Sequence, residues 1–171
     1  EVMLELNEDE QLWTASANKM FVMLGVYHEE SEGRWTVGPN TRRKLERMIR
    51  HSNNPVTDEL IDMIGEDRLN EIVSDYGFDK TEVKKILSDG TDRTTDNYSS
   101  AEDLGNLLEG IYKSKFPGSE EMLEILSLSS ASGHLDRIVD RTCIPVQEVS
   151  LEQKGGYVSG RADKTGVIYG A

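Results

Sequence analysis

The amino-acid sequence predicts an α+β fold in which short strands at the two ends of the chain enclose a block of helices. Strand-like segments lie near the two ends, whereas the middle of the chain carries apolar residues at helical spacing. Because strands precede and follow the helices, we expect the first and last strands to form one antiparallel sheet packed against the helical block. At 171 residues, the chain suits a single domain over 1–171 with a hydrophobic core.

The strands are predicted from short runs bounded by turn residues. Residues 2–6 and 11–14 read as two strands joined by an acidic turn. Near the other end, residues 146–153 alternate as a strand after a turn at Pro145, and 165–170 form a further strand.

The helices are predicted from apolar stripes that end at glycine, proline or polar clusters. The clearest is 100–115, where Ser99 and Glu102 have the spacing of a capping box and leucines follow at positions of one helical face. A polar loop is expected from Asp89 to Tyr98. The predicted helices cover 16–30, 41–51, 57–64, 66–76, 79–87, 100–115 and 119–128.

The composition excludes several classes of partner. A net charge of −13 argues against nucleic acid and anionic membrane surfaces, since both require clustered cations. No apolar run approaches the length of a membrane span, so we expect no membrane insertion. Cys143 is the single cysteine, so neither an intramolecular disulfide nor a cysteine metal cluster can form. The histidines have no second ligand at metal spacing, and we expect neither a metal nor a cofactor.

Ser16 and Lys19 form the first candidate catalytic element. Residues three apart in a helix lie on the same face, so the Lys19 amine can sit beside the Ser16 hydroxyl. A serine needs such a base to act as a nucleophile, and burial of an amine among apolar side chains lowers its pKa as a base requires. By itself the S-x-x-K pattern is weak, because a serine that caps a helix before a solvated lysine gives the same spacing.

Two further elements add groups suited to acyl transfer. Ser52-Asn53-Asn54 stands at a helix end just before Pro55, where short polar side chains can point into a cleft. Lys154-Gly155-Gly156 ends a strand-like run whose glycines let a ligand lie against the strand edge. A hydroxyl, an amide and a second ammonium would then converge on an activated serine.

In this order and context, the three elements resemble those of the penicillin-recognising serine hydrolases, and class A β-lactamases most closely. The signature set of those enzymes is S-x-x-K, S-D-N and K-T-G. The runs 48–54, 60–65, 97–104 and 154–170 are similar to the family as well, so the resemblance touches nearly the whole chain. It implies a β-lactamase/transpeptidase-like fold, shortened at both ends, whose exposed sheet edges would favour a homo-oligomer.

The resemblance also implies catalytic roles. Ser16 would be the acylated nucleophile, Lys19 its base or proton relay, and Ser52 the group that passes a proton to the leaving nitrogen. The family's deacylating glutamate lies in a Glu-x-x-Leu-Asn loop. Glu82 is the candidate for that base here, but no Leu-Asn follows it, and a carboxylate on a solvated helix face is the alternative interpretation.

Substrate-binding roles follow from the same resemblance. Asn54 would bind the amide side chain of the substrate, and Lys154 would anchor its carboxylate. Gly156 would lie beside the substrate, and the backbone N–H groups of Ser16 and Tyr157 would form the oxyanion hole. The literal triplet that begins at Lys164 is the alternative third element; choosing it would leave no strand to follow.

Two departures from the signature set accompany the resemblance. Asn53 replaces the aspartate of S-D-N, and Gly155 replaces the threonine of K-T-G.

We expect a hydrolase that opens β-lactam rings through an acyl-enzyme at Ser16. Its substrate would be a small-molecule β-lactam or a peptidoglycan peptide, and it would act outside the cytoplasm, in the periplasm or secreted. The alternatives are a penicillin-binding D-Ala-D-Ala peptidase or esterase that releases β-lactams slowly, and a degenerate domain that binds without turnover.

Overall fold

The fold is given by a computed structural model, which describes residues 7–86 and 97–128 in full and the backbone of 149–158 and 161–170. The strand predicted at 2–6 and the turn at Pro145 lie outside these residues, as does most of the polar loop predicted before Tyr98.

The described strands form two antiparallel pairs. Strand β1 (Leu12–Trp13) pairs with β2 (Tyr98–Ser99), and β3 (Val149–Val158) pairs with β4 (Arg161–Gly170). The predicted α+β class is therefore confirmed. Within the segment 11–14, which was expected to be a strand, the strand covers two residues, Leu12 and Trp13. Its partner β2 begins at Tyr98, the last residue of the segment that was expected to be a loop.

Six of the seven predicted helices form within the described residues. The first opens as a 3-10 turn over Ala15–Asn18 and continues as α1. The remaining bounds differ from the predicted ones by at most three residues. The α-helices are α1 (Lys19–Ser31), α2 (Pro39–His51), α3 (Asn54–Ile64), α4 (Glu66–Asp75), α5 (Ala101–Tyr112) and α6 (Ser119–Ser127).

The helix predicted over 79–87 is wrong, because the backbone of this segment bonds to other partners. Glu82 exchanges two backbone hydrogen bonds with Tyr98, at 2.9 and 3.0 Å. The Asn70 side chain accepts from Val83 N and donates to Val83 O, both at 2.8 Å. With these N–H groups already engaged, the segment stays extended beside α4.

The cap of α5 lies one residue later than the capping-box spacing indicates. Ser100 Oγ accepts from the backbone N–H of Asp103 at 3.0 Å. Ser99 instead contacts Thr81 through its hydroxyl at 2.7 Å. The cap is a serine hydroxyl, as expected. Ser100 provides it because Ser99 is already engaged by Thr81.

Helix α1 is the centre of the core. It is buried on nearly every side and packs against α2, α3 and α4. Phe21 meets Phe78 edge to face with ring centroids 5.2 Å apart. Because Lys19 is the first residue of α1, this most buried helix fixes the position of the candidate site.

Candidate active site

Two residues at the candidate site have a strained, left-handed backbone conformation. Ala15 has a φ of +46° directly before Ser16, and Ser52 has a φ of +51° at the end of α2. Such conformations cost a non-glycine residue roughly 1–2 kcal/mol each. Observed strain of this kind clusters where the fold must aim particular side chains.

Three side chains converge on the Ser16 hydroxyl region, as the sequence predicts. Lys19 Nζ lies 2.7 Å from Ser16 Oγ and donates to Asn54 Oδ1 at 2.9 Å. Ser52 Oγ donates to Ser16 Oγ at 2.8 Å. Lys19 is 1% exposed, so its amine is held among protein groups, whereas Asn54 is exposed and can face a ligand. A serine oxygen, an amine and a second hydroxyl in one chain of contacts can move a proton between them.

Asn53 holds the start of α3 and so orients its two neighbours. Its side chain accepts from Val56 N at 3.0 Å, which makes it the N-cap of α3, and Pro55 stands in the first turn. The replacement of aspartate by asparagine at this position keeps an oxygen acceptor for the cap.

Asn18 is a site residue that the sequence analysis did not identify. Its Nδ2 donates to Tyr98 O at 2.9 Å and to Glu82 O at 3.1 Å, and its Oδ1 accepts from Thr14 Oγ1. The residue is 2% exposed. This amide ties the Ser16 turn to the bridge between Glu82 and Tyr98. An asparagine close to the start of the long apolar run 20–24 is the sequence signal that could have indicated it.

A small cleft opens beside Lys19 on the side of the extended 81–86 segment. Its apolar lining comes from Val22, Val83 and Ile86. The other lining residues are Ala15, Asn18, Thr57, Lys84 and Asn97. Asp58 stands at this side of α3 and accepts from Ile86 N through Oδ1 at 2.6 Å. Burial raises the pKa of the Asp58 carboxyl, while Lys85 and Lys19 act in the opposite direction. Asp58 was also missed by sequence reasoning.

The Glu82 carboxylate pairs with Lys84 at 2.8 Å and is 47% exposed. Because the backbone of Glu82 bridges to Tyr98, the residue lies on an extended segment and not on a helix face. The part of Glu82 that contacts the site is its backbone carbonyl, through Asn18. Its role as a base stays a prediction.

The remaining predicted residues lie on β3, whose backbone contacts the 3-10 turn that carries Ser16. In the β3–β4 register, Lys154 is opposite Thr165, Gly156 opposite Asp163 and Tyr157 opposite Ala162. The alternative residue, Lys164, is opposite Gly155 on β4, which also contacts the turn. Their side chains lie outside the described part of the structure, so these assignments stay predictions.

In the described ranges, no group of three or more histidine, cysteine, aspartate or glutamate side chains is placed to hold a metal ion. None of the helices described is both long and apolar enough to span a membrane.

Comparison with known proteins relates this geometry to a family. Residues 38–171 match the model of the Beta-lactamase enzyme family, a region that includes Ser52 and β3 and begins after Ser16 and Lys19. The comparison with curated proteins found no match.

Solved structures agree in fold over nearly the whole chain. A β-lactamase from Sphaerobacter thermophilus superposes with a TM-score of 0.83 at 17% identity, over 98% of this chain and 73% of that one. A β-lactamase from Chitinophaga pinensis gives 0.77 at 15% identity, over 96% and 74%. The ancestral class A β-lactamase GNCA gives 0.73 at 15% identity, over 97% and 74%.

Proposed function

The chain belongs to the Beta-lactamase enzyme family, with a class A β-lactamase-like fold, and from that premise we propose that it is a serine hydrolase that opens β-lactam rings through an acyl-enzyme at Ser16. The observation that carries the proposal is the position of Ser16 Oγ, which lies 2.7 Å from Lys19 Nζ and 2.8 Å from Ser52 Oγ. These are the contacts that a nucleophile with a base and a proton donor requires.

Acylation follows from this chain of contacts. In its neutral form Lys19 takes the Ser16 proton while Oγ forms a bond to the lactam carbonyl carbon. The carbon–nitrogen bond breaks, the nitrogen takes the Ser52 proton, and Lys19 returns a proton to Ser52. Asn54 Oδ1, 2.9 Å from Lys19 Nζ, holds the amine in line throughout.

The groups on β3 would complete the substrate site. Lys154 would hold the substrate carboxylate, Gly156 would let the ligand lie close to the strand, and the Tyr157 and Ser16 N–H groups would stabilise the oxyanion. Contact between β3 and the Ser16 turn supports this arrangement. An enzyme with these substrates acts outside the cytoplasm, so we propose a periplasmic or secreted protein.

Hydrolysis of a chromogenic cephalosporin tests the proposal. We expect turnover by the wild type and a loss of at least about 100-fold in Ser16→Ala, because the variant lacks the attacking oxygen. Ser127→Ala removes a hydroxyl from an exposed position on α6 and should leave the rate unchanged. Equal turnover by wild type and Ser16→Ala would contradict the proposal.

One observation favours a second function, a D-Ala-D-Ala peptidase of the penicillin-binding type that releases β-lactams slowly. The Glu82 carboxylate, the sequence-based candidate for the deacylating base, is engaged by Lys84 at 2.8 Å. Release of D-alanine from a peptide ending in D-Ala-D-Ala, together with an acyl-enzyme that persists after penicillin treatment, would identify this function.

A further inference from the structure

The turn that carries Ser16 contacts the rest of the protein through two different faces. Ser16 and Lys19 are three residues apart and lie on one face, where Lys19 Nζ is 2.7 Å from Ser16 Oγ. Asn18 is two residues from Ser16, a spacing at which side chains do not face each other. Its amide instead bonds to Glu82 and Tyr98. The face that carries the nucleophile is therefore held from the other side of the turn.

Each polar atom of the Asn18 amide is engaged. Nδ2 carries two hydrogens and donates to Tyr98 O at 2.9 Å and to Glu82 O at 3.1 Å. Oδ1 accepts from Thr14 Oγ1. Because the residue is only 2% exposed, water does not compete for these bonds. The three bonds together fix the amide in one orientation.

The groups that Asn18 reaches belong to a hydrogen-bonded backbone frame. Glu82 and Tyr98 exchange two backbone hydrogen bonds, at 2.9 and 3.0 Å. Tyr98 also pairs with Trp13 in the ladder between β1 and β2. The frame therefore meets the chain three residues before Ser16, and Asn18 meets the frame two residues after Ser16.

The backbone between these two points is strained and needs an anchor at each end. Ala15 has a φ of +46°, in the left-handed region that a residue with a Cβ adopts only at an energetic cost. Such a conformation persists only where the surrounding structure over-determines it. Asn18 supplies that constraint on the far side of Ser16.

We propose that Asn18 is a positioning residue for acylation, whose buried amide keeps Ser16 Oγ within reach of Lys19 Nζ and Ser52 Oγ. The inference rests on the proposed function, since it concerns the attack by the same serine. Asn18 acts through the backbone of the turn and transfers no proton. Loss of its amide lets the strained turn relax and displaces Ser16 Oγ. A displacement of about 1 Å at a reacting group can cost about 10²-fold in rate.

The kinetics of acylation in Asn18→Ala separate positioning from substrate binding. Stopped-flow mixing with increasing concentrations of a penicillin gives the saturating rate constant of acylation and the concentration at half-saturation. We expect the saturating rate constant to fall by about 10–100-fold. The half-saturation concentration should stay within about 3-fold of wild type, because the proposed binding residues Asn54 and Lys154 lie on other elements.

Asn70→Ala is the matched control for a loss of stability. The Asn70 amide also makes three hydrogen bonds, to Glu66 O at 2.9 Å and to the N and O of Val83 at 2.8 Å each. These bonds anchor the same extended segment to α4, and none of the three involves the Ser16 turn. We expect a comparable loss of stability and acylation at the wild-type rate.

A second pair of variants keeps Asn18 and changes its Thr14 partner. Thr14→Val replaces the hydroxyl by a methyl group of similar size and removes the hydrogen bond to Asn18 Oδ1, whereas Thr14→Ser keeps the hydroxyl. The saturating rate constant should fall by about 3–10-fold in Thr14→Val, the equivalent of one hydrogen bond, and stay at the wild-type value in Thr14→Ser. If Asn18→Ala does not fold, this pair decides, and equal rates in the two variants overturn the inference.

The outcomes are distinguishable. A lower saturating rate constant in Asn18→Ala and Thr14→Val, with Asn70→Ala and Thr14→Ser at the wild-type value, supports the inference. Acylation by Asn18→Ala at the wild-type rate overturns it, as does an equal fall in Asn70→Ala, which would indicate a general loosening of the fold. A change confined to the half-saturation concentration also overturns it, because Asn18 would then act on substrate binding. Absence of any adduct on the folded wild type overturns the proposed function, and the inference with it.

Discussion

Ser52 Oγ donates a hydrogen bond to Ser16 Oγ across 2.8 Å, although the two serines are 36 positions apart in the chain. The junction between α2 and α3 makes this contact possible. Ser52 adopts a left-handed conformation that ends α2, and Asn53 caps α3 in the next position. The hydroxyl is thereby turned toward the 3-10 turn that carries Ser16.

Loss of the Ser52 hydroxyl is expected to slow acylation by about 10²–10⁴-fold, because the leaving nitrogen loses its proton donor. Ser52→Ala and Ser52→Gly both remove the hydroxyl, but glycine also relieves the backbone strain at a φ of +51°. The rate constant for acylation by a penicillin, measured in both variants, should fall equally. A glycine variant that acylates at the wild-type rate would show that the backbone geometry and not the hydroxyl matters.

Asn18→Ala is expected to destabilise the protein by about 2 kcal/mol, because three hydrogen bonds of a buried amide are lost, each contributing about 0.5–1.5 kcal/mol. The lost bonds are those to Thr14, Glu82 and Tyr98. Urea unfolding measures the free energy of unfolding, and the exposed Asn40→Ala is the control. Equal stability of the two variants would show that Asn18 does not hold the Ser16 turn in place.

The Glu29 carboxylate is expected to make stability depend on acidic pH. A hydrogen bond from Arg34 lowers the pKa of Glu29, and Arg68 adds to this effect. A lowered pKa means that the stabilisation is complete above the unfolded-state value of about 4.3 and is lost as the pH falls through the lower folded-state value. Glu29→Gln should therefore be less stable than wild type by about 1.5–3 kcal/mol at pH 7.

Thermal unfolding over a pH series checks this expectation. The stability difference between wild type and Glu29→Gln should shrink as the pH is lowered through that window. Glu32→Gln is the control, since Glu32 is half-exposed and lies 3.6 Å from Arg34. A difference between wild type and Glu29→Gln that is independent of pH would exclude the ion pair as its origin.

Two glycines of α5 provide a matched pair for packing. A Cβ at Gly110 would lie 2.1 Å from Phe116 Cε2, whereas at Gly105 it would meet nothing within 4 Å. Both alanine variants gain about 1 kcal/mol of helix propensity. Gly105→Ala should therefore stabilise the protein, and Gly110→Ala should destabilise it by about 1–3 kcal/mol through overpacking. Chemical denaturation that gave both variants the same sign would contradict this arrangement of Phe116.

Sequence reasoning found the side chains that local patterns bring together at the candidate site. The spacing of Ser16 and Lys19 on one helical turn, and the placement of Ser52 at a helix end, predicted contacts that the structure contains. Asn18 and Asp58 were missed because their partners are backbone groups far along the chain, Tyr98 for one and Ile86 for the other. No local spacing reveals such pairs.

The segment 79–87 shows the same limit for secondary structure. Its composition allows a helix, but Asn70 and Tyr98 take up the hydrogen bonds that a helix would need. For a similar reason, Ser100 caps α5 in place of the predicted Ser99, since Ser99 already contacts Thr81. Tertiary hydrogen bonds decide between options that are equal in the local sequence.

The most direct test of the central claim is the intact mass of the protein after incubation with a penicillin, followed by peptide mapping of the adduct. Formation of a covalent adduct on the peptide that contains Ser16, in the wild type and not in Ser16→Ala, is the predicted result. An adduct located on any other residue, or no adduct under conditions in which the protein is folded, would contradict the account.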